Sequence, residues 1–143
     1  VGSEMCIRDS AGGGLKQTLL DAGVSQTISK VAEGAHMPYL LLAWLIAVAL
    51  RQATGSATVA TTTTAGILAP MMAGLAATQS SLVALAIGAG SVFFCHVNDA
   101  GFWMVREYFG LQLKQTIWVW SVLQTIVSVV GLIGTLLLWH FLT

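Results

Sequence analysis

Two stretches of this 143-residue chain carry no acid, lysine or arginine: Gln52 to Asn98, and Gln115 to Thr143. Each exceeds the about 20 apolar residues that a helix needs to cross a bilayer core. Soluble domains devote about a quarter of their residues to charge. Here charged residues are 8% of the chain and hydrophobic ones 56%. Mean hydropathy is +0.81. The chain reads as an all-α integral membrane protein, with the lipid bilayer as its surroundings. Its formal net charge is zero, and it has no basic patch that would suggest nucleic acid.

The opening decapeptide, VGSEMCIRDS, does not fit this picture. It lacks the apolar run of a secretory signal, and no helical or strand period starts in it. Back-translation of Met5 to Ser10 permits a nucleotide sequence like the mosaic end of a transposon used to fragment DNA for sequencing. Residues 1–10 are therefore expected to be translated adapter, and residues 11–143 a fragment of a larger parent. Cys95 is then the one remaining cysteine, with no internal disulfide partner. It reads as a small packing residue. There is no CxxC, no His pair at helical spacing and no glycine-rich phosphate loop. No metal or other cofactor is expected.

Residues 11–38 hold Leu15, Leu19, Leu20, Val24, Ile28 and Val31 near a 3.6 period, with polar residues between. This is an amphipathic helix, lying on the membrane surface or covering a neighbouring protein surface. YLLLAWLIAVAL, Tyr39 to Leu50, is apolar but too short to span alone. It leads to Arg51-Gln52 and then to an uncharged, hydroxyl-rich stretch closed by Pro70. The reading is a re-entrant helical hairpin over 39–73: in along 39–52, a loosened tip near 54–58, back along 59–73. Leu82 to Cys95 is a second short apolar helix, which runs into the polar knot HVNDAGFW. Residues 82–110 thus read as a broken helix. Residues 116–142 form a terminal transmembrane helix, with Trp118, Trp120 and Trp139 at interfacial positions. The basic loop Arg106 to Lys114 favours the cytoplasm, which puts the C-terminus outside.

Two polar knots carry the chemistry. In GSATVATTTT, the hydroxyls of Ser56, Thr58, Thr61, Thr62, Thr63 and Thr64 either glue helices together or line an anion cradle at a hairpin tip beside Gly55. Freed backbone N–H groups and a helix N-terminus would add partial positive charge to such a cradle. Discontinuous helices meeting at midplane are how many secondary transporters hold substrate. In HVNDAGFW, an intramembrane Asp99 is a functional candidate, with Asn98 beside it and His96 three residues before. Imidazole titrates near neutral pH, and a carboxyl does so when burial disfavours its charge, so His96 or Asp99 is a candidate carrier of a coupling proton. The competing reading makes Asp99 the N-cap of the helix that follows.

GGGLKQTLLDAGV, LLLAWLIAVALRQATGSATVATTTTAGILAP and CHVNDAGFWMVREYFGL, in this order and spacing, resemble the C-terminal portion of the gluconate permease family. The resemblance covers nearly all of residues 11–143. It implies a bacterial inner-membrane symporter for gluconate or related sugar acids, some members taking D-serine, with the proton as coupling ion. It also implies two inverted repeats of an ion-transporter-type fold, each with a re-entrant hairpin and a broken helix. Residues 39–73, 82–110 and 116–142 would belong to the second repeat. A transport domain moving against a homodimeric scaffold is part of the same implication. Ala100 follows Asp99 where a varied small residue or proline is expected.

The expectation is a small carboxylate substrate held by Gly55, Ser56, Thr58, Thr61, Thr62, Asn98 and Asp99, with Asp99 or His96 taking the proton. Another small carboxylate, D-serine, or a structural membrane subunit without substrate are the alternatives. An enzyme is not expected, since no Ser-His or paired-Asp arrangement is visible. Residues 11–143 are not expected to fold stably alone, because hairpin and break would expose polar backbone to lipid.

Overall fold

A computed structural model describes residues 38–142 and, before them, 13–14, 17–19, 21–24 and 26–27. The stretch 1–10 read as adapter lies outside the described residues. So does much of 11–38; its described residues are helical apart from a turn at Ala22 and Gly23, where Gly23 takes φ +74°.

Every regular element among the described residues is helical. Helix α1 spans Tyr39–Thr54 and α2 spans Ala57–Met72. Only Gly55 and Ser56 separate them. Gly55, at φ +68°, closes α1 by giving its N–H to the Arg51 carbonyl, a left-handed cap that glycine adopts without steric cost. Ser56 then caps α2, its hydroxyl accepting from the Val59 N–H at 3.4 Å. The tip is therefore tighter than the sequence reading of 54–58. One residue turns the chain and the next already starts the return helix. Leu42 and Ala43, near the start of α1, pack with Leu68 near the end of α2, so the two helices form a hairpin.

Helix α3 spans Ala77–Ser91. It starts before Leu82 because the Gln79 side chain accepts from the Ala76 N–H at 3.2 Å and satisfies the first turn. It packs on α1, on α2 and on the long C-terminal helix. Small residues set the approach. A Cβ on Gly90 would lie 2.6 Å from the Trp44 carbonyl oxygen, and one on Gly131 would lie 2.9 Å from the Ala89 Cβ. Such close backbones supply the dispersion contacts that join helices in a solvent as apolar as their side chains. The core runs through Ala43, Ala47, Leu68, Val83 and Ile87, with Trp139 packed against it.

After Ser91 the chain leaves the helix until Ala100, earlier than the expected exit at Cys95. Helix α4 is Ala100–Tyr108. The break spends its backbone groups on neighbours. Gln52 Nε2 donates to the Phe93 and Phe94 carbonyls at 2.9 and 3.3 Å. Ser121 Oγ donates to the Cys95 carbonyl, and Trp103 Nε1 to that of Val97 at 2.8 Å. The His96 carbonyl accepts from the Asp99 N–H at 2.9 Å. Non-helical backbone shielded from water requires such partners.

Helix α5 spans Leu113–Leu142 and is long and apolar enough to cross a membrane, the one such helix among the described residues. Its 30 residues reach about 45 Å at 1.5 Å per residue, against a hydrocarbon core of about 30 Å. It begins before the expected Thr116 and contains a π-helical turn at Ile117–Ser121. Helices α1 and α2, at 16 residues each, reach only about 24 Å.

Candidate substrate site

The hairpin tip and the break meet. Gly55 sits against Asn98 so closely that a Cβ there would run into the Asn98 carbonyl. Asn98 Nδ2 donates to the Ala53 carbonyl at 3.4 Å. Around this meeting point lies a cavity of about 400 Å³. The end of α1 gives it Arg51, Thr54 and Gly55. The first turn of α2 adds Ser56 to Val59, and the start of α4 adds Asn98, Asp99 and Ala100.

Two helix N-termini, those of α2 and α4, open on this space. The first N–H groups of a helix have no partner within it, and they carry partial positive charge. Asp99 occupies the N-cap of α4, accepting from the Gly101 N–H at 2.6 Å. The capping reading of Asp99 thus holds, yet its other oxygen is engaged elsewhere. Oδ2 pairs with Arg51 Nη2 and accepts from the Cys95 thiol at 3.1 Å. Arg51 is 5% exposed, and its Nη1 donates to the Gly55 carbonyl at 2.8 Å. The guanidinium therefore ties α1 to the hairpin tip and to the break at once. Trp120 Nε1, from the π-turn of α5, donates to Cys95 Sγ at 3.1 Å. The widened turn aims Trp120 and Ser121 at the break, a recurrent use of π geometry.

Of the residues singled out from sequence, Gly55, Ser56, Thr58, Asn98 and Asp99 come together at the cavity. Thr61, Thr62 and His96 do not. Thr61 lines a separate apolar cavity between α2 and α3, and its hydroxyl bonds back to the Ala57 carbonyl at 2.8 Å. Thr62 bonds back to the Thr58 carbonyl at 2.9 Å. Once α2 starts at Ala57, its period carries both threonines a turn away from the tip. The His96 ring stacks on Phe94, with centroids 6.2 Å apart. Thr63 and Thr64 are buried in α2 on the face with Ala60, Ile67 and Leu68. Arg51 is the residue that sequence reading passed over. Its signal was available: an arginine at the end of an apolar run and a lone aspartate in the next one demand each other in lipid.

A helical membrane chain whose broken elements converge on a polar cavity with a charge pair in its wall has the build of a membrane transport protein. The sequence model described as GntP family permease matches residues 4–142, and the chain belongs to that family of permeases, which are transporters and not enzymes. The gluconate permease of Pseudomonas aeruginosa is 49% identical over 128 residues, which is 90% of this chain and 28% of that relative. A high-affinity gluconate transporter of Escherichia coli is 50% identical over 127 residues, 89% of this chain and 29% of the relative. The Gnt-II system L-idonate transporter of Escherichia coli is 44% identical, again over 89% of this chain and 29% of the relative. The chain thus spans under a third of the length of these relatives. No solved structure matches it.

Proposed function

We infer that the chain is the C-terminal part of a secondary transporter that imports gluconate or a closely related sugar acid together with protons. The observation that carries this reading is the convergence of the α2 and α4 N-termini, with Arg51 and Asp99, on one polar cavity. A carboxylate fits donors of this kind: helix-terminal N–H groups, the Ser56 and Thr58 hydroxyls and a guanidinium. Polyol hydroxyls would reach Asn98 and Asp99. In this reading α1 and α2 form a re-entrant hairpin, since each is shorter than the bilayer core. Helices α3 and α4 form the broken helix of one inverted repeat, in a homodimeric protein of the bacterial inner membrane. The other repeat lies elsewhere in the parent.

The relative named an L-idonate transporter favours a second substrate within the same class, since idonate and gluconate are both six-carbon sugar acids. The test is uptake of labelled gluconate by the full-length permease in liposomes, with and without an inward proton gradient. Uptake that follows the gradient and is competed by sugar acids supports the reading. Preferential competition by another small carboxylate or by D-serine would move the substrate. No uptake of any of these by a folded protein would leave a structural membrane subunit.

A further inference from the structure

We propose that Arg51 receives the carboxylate of the substrate, and that it couples the proton by exchanging Asp99 for that carboxylate. The inference rests on the sugar-acid reading above and gives it a mechanism. Arg51 lines the cavity while almost wholly buried, at 5% exposure. One arm is fixed, with Nη1 holding the Gly55 carbonyl at 2.8 Å. The other arm, Nη2, holds Asp99 Oδ2. A guanidinium has five N–H donors in a planar fork that suits carboxylates, so a second carboxylate in the cavity competes for the arm Asp99 now uses.

The groups around Asp99 leave it little else to rely on for charge balance. From α1 it faces Arg51, from the break the Cys95 thiol, and from α4 the Gly101 N–H. Helix α2 contains no ionisable side chain. From α5, Trp120 acts only through Cys95 Sγ. The His96 ring is stacked on Phe94. Among the described residues Arg51 is thus the cation paired with Asp99.

Charge then balances in two states. The empty site holds Arg51 positive and Asp99 negative, and is neutral. When the substrate carboxylate takes Nη2, Asp99 loses its counter-ion and binds one proton from water at Oδ2. Oδ1 keeps its bond from the Gly101 N–H. The loaded site holds Arg51 positive, substrate negative and Asp99 protonated, and is neutral again. Substrate without a proton leaves one negative charge at membrane depth, and a proton without substrate leaves one positive charge. Both are costly in a low dielectric, so neither half-loaded state moves readily. One proton travels with one sugar acid at this site.

The test uses the full-length permease in liposomes, with labelled gluconate, and reads exchange and gradient-driven accumulation separately. Wild type should accumulate gluconate under an inward pH gradient, and its exchange should slow as pH rises. Asp99→Asn keeps a side chain suited to the N-cap; whatever exchange it supports should no longer respond to pH, and accumulation should be lost. Arg51→Lys keeps the charge but not the fork, and should raise the KM for exchange about 10-fold or more. Arg51→Gln should abolish both readouts. Accumulation by Asp99→Asn, or a wild-type KM in Arg51→Lys, would overturn the proposal. Should Arg51→Gln fail to fold, the KM of Arg51→Lys and the accumulation by Asp99→Asn still decide. Wild type that moves no sugar acid at all would instead remove the functional reading beneath it.

Discussion

Gly55 and Asn98 are in contact backbone to backbone. A Cβ on Gly55 would stand 2.8 Å from the Asn98 carbonyl carbon and 2.9 Å from its Cγ. The hairpin tip and the helix break are thus held at a separation that only a hydrogen at Gly55 allows. Gly55→Ala should weaken the fold and remove transport together. The left-handed φ of +68° alone costs about 1–2 kcal/mol for a residue with a Cβ. The clash with fixed backbone adds to it. Gly110, at φ +59° with nothing near its Cβ position, is the control: Gly110→Ala should cost only the conformational part. Thermal unfolding of both variants in detergent checks this, and equal shifts would refute the contact argument.

Gly90→Ala should loosen the crossing of α1 and α3. Its Cβ would meet the Trp44 carbonyl oxygen at 2.6 Å and the Ala47 Cβ at 2.8 Å. Overpacking of this kind costs about 1–3 kcal/mol. Gly88 has nothing within 4 Å of its Cβ position, so Gly88→Ala should be neutral or raise the midpoint through helix propensity. The two midpoints measured side by side give the answer.

Gln52→Leu should destabilise the break without touching the cavity. Two carbonyls, those of Phe93 and Phe94, lose their donor. The Phe93 bond is part-buried and the Phe94 bond exposed, so the loss should be near that of an ordinary hydrogen bond, about 1 kcal/mol. The expected result is a lower melting midpoint, with faster proteolysis between Val92 and Asp99. Unchanged cleavage would mean that the break is held without Gln52.

His96→Asn should keep gradient-driven uptake. The imidazole is stacked on Phe94 and does not line the cavity. Accumulation measured over a range of external pH would detect a lost coupling proton. Uncoupled uptake in this variant would make His96 the carrier and displace Asp99.

Thr58→Val should raise the KM for a sugar acid by about 10-fold, the effect of a lost hydrogen bond to a charged group. Thr62→Val should change it little, since that hydroxyl bonds back to its own helix. Uptake kinetics on the pair test whether the cradle ends at the first turn of α2.

Much of the local structure could be read from residues alone. The absence of charge across Gln52–Asn98 and Gln115–Thr143 requires a membrane environment. Gly55-Ser56 marks a tip because glycine takes a left-handed turn and serine caps a helix. Asp99 before Ala100-Gly101 marks a second helix start in the same way. These are local properties, decided by a residue and its immediate neighbours.

What only the tertiary structure decided is which groups meet. Arg51 and Asp99 lie 48 positions apart, and no local period relates them. Their pairing follows from α1 and α3 packing closely through Gly90, which brings the break over the hairpin tip. The position of the cavity at the first turn of α2 is what leaves Thr61 and Thr62, one turn further on, outside it. The π-turn of α5 was equally illegible, since its hydrogen bonds to Cys95 exist only once α5 lies beside the break. The sequence marked the hairpin tip and the start of α4. The close approach of small residues set which of these ends face one another, and with that the charge pair at the site.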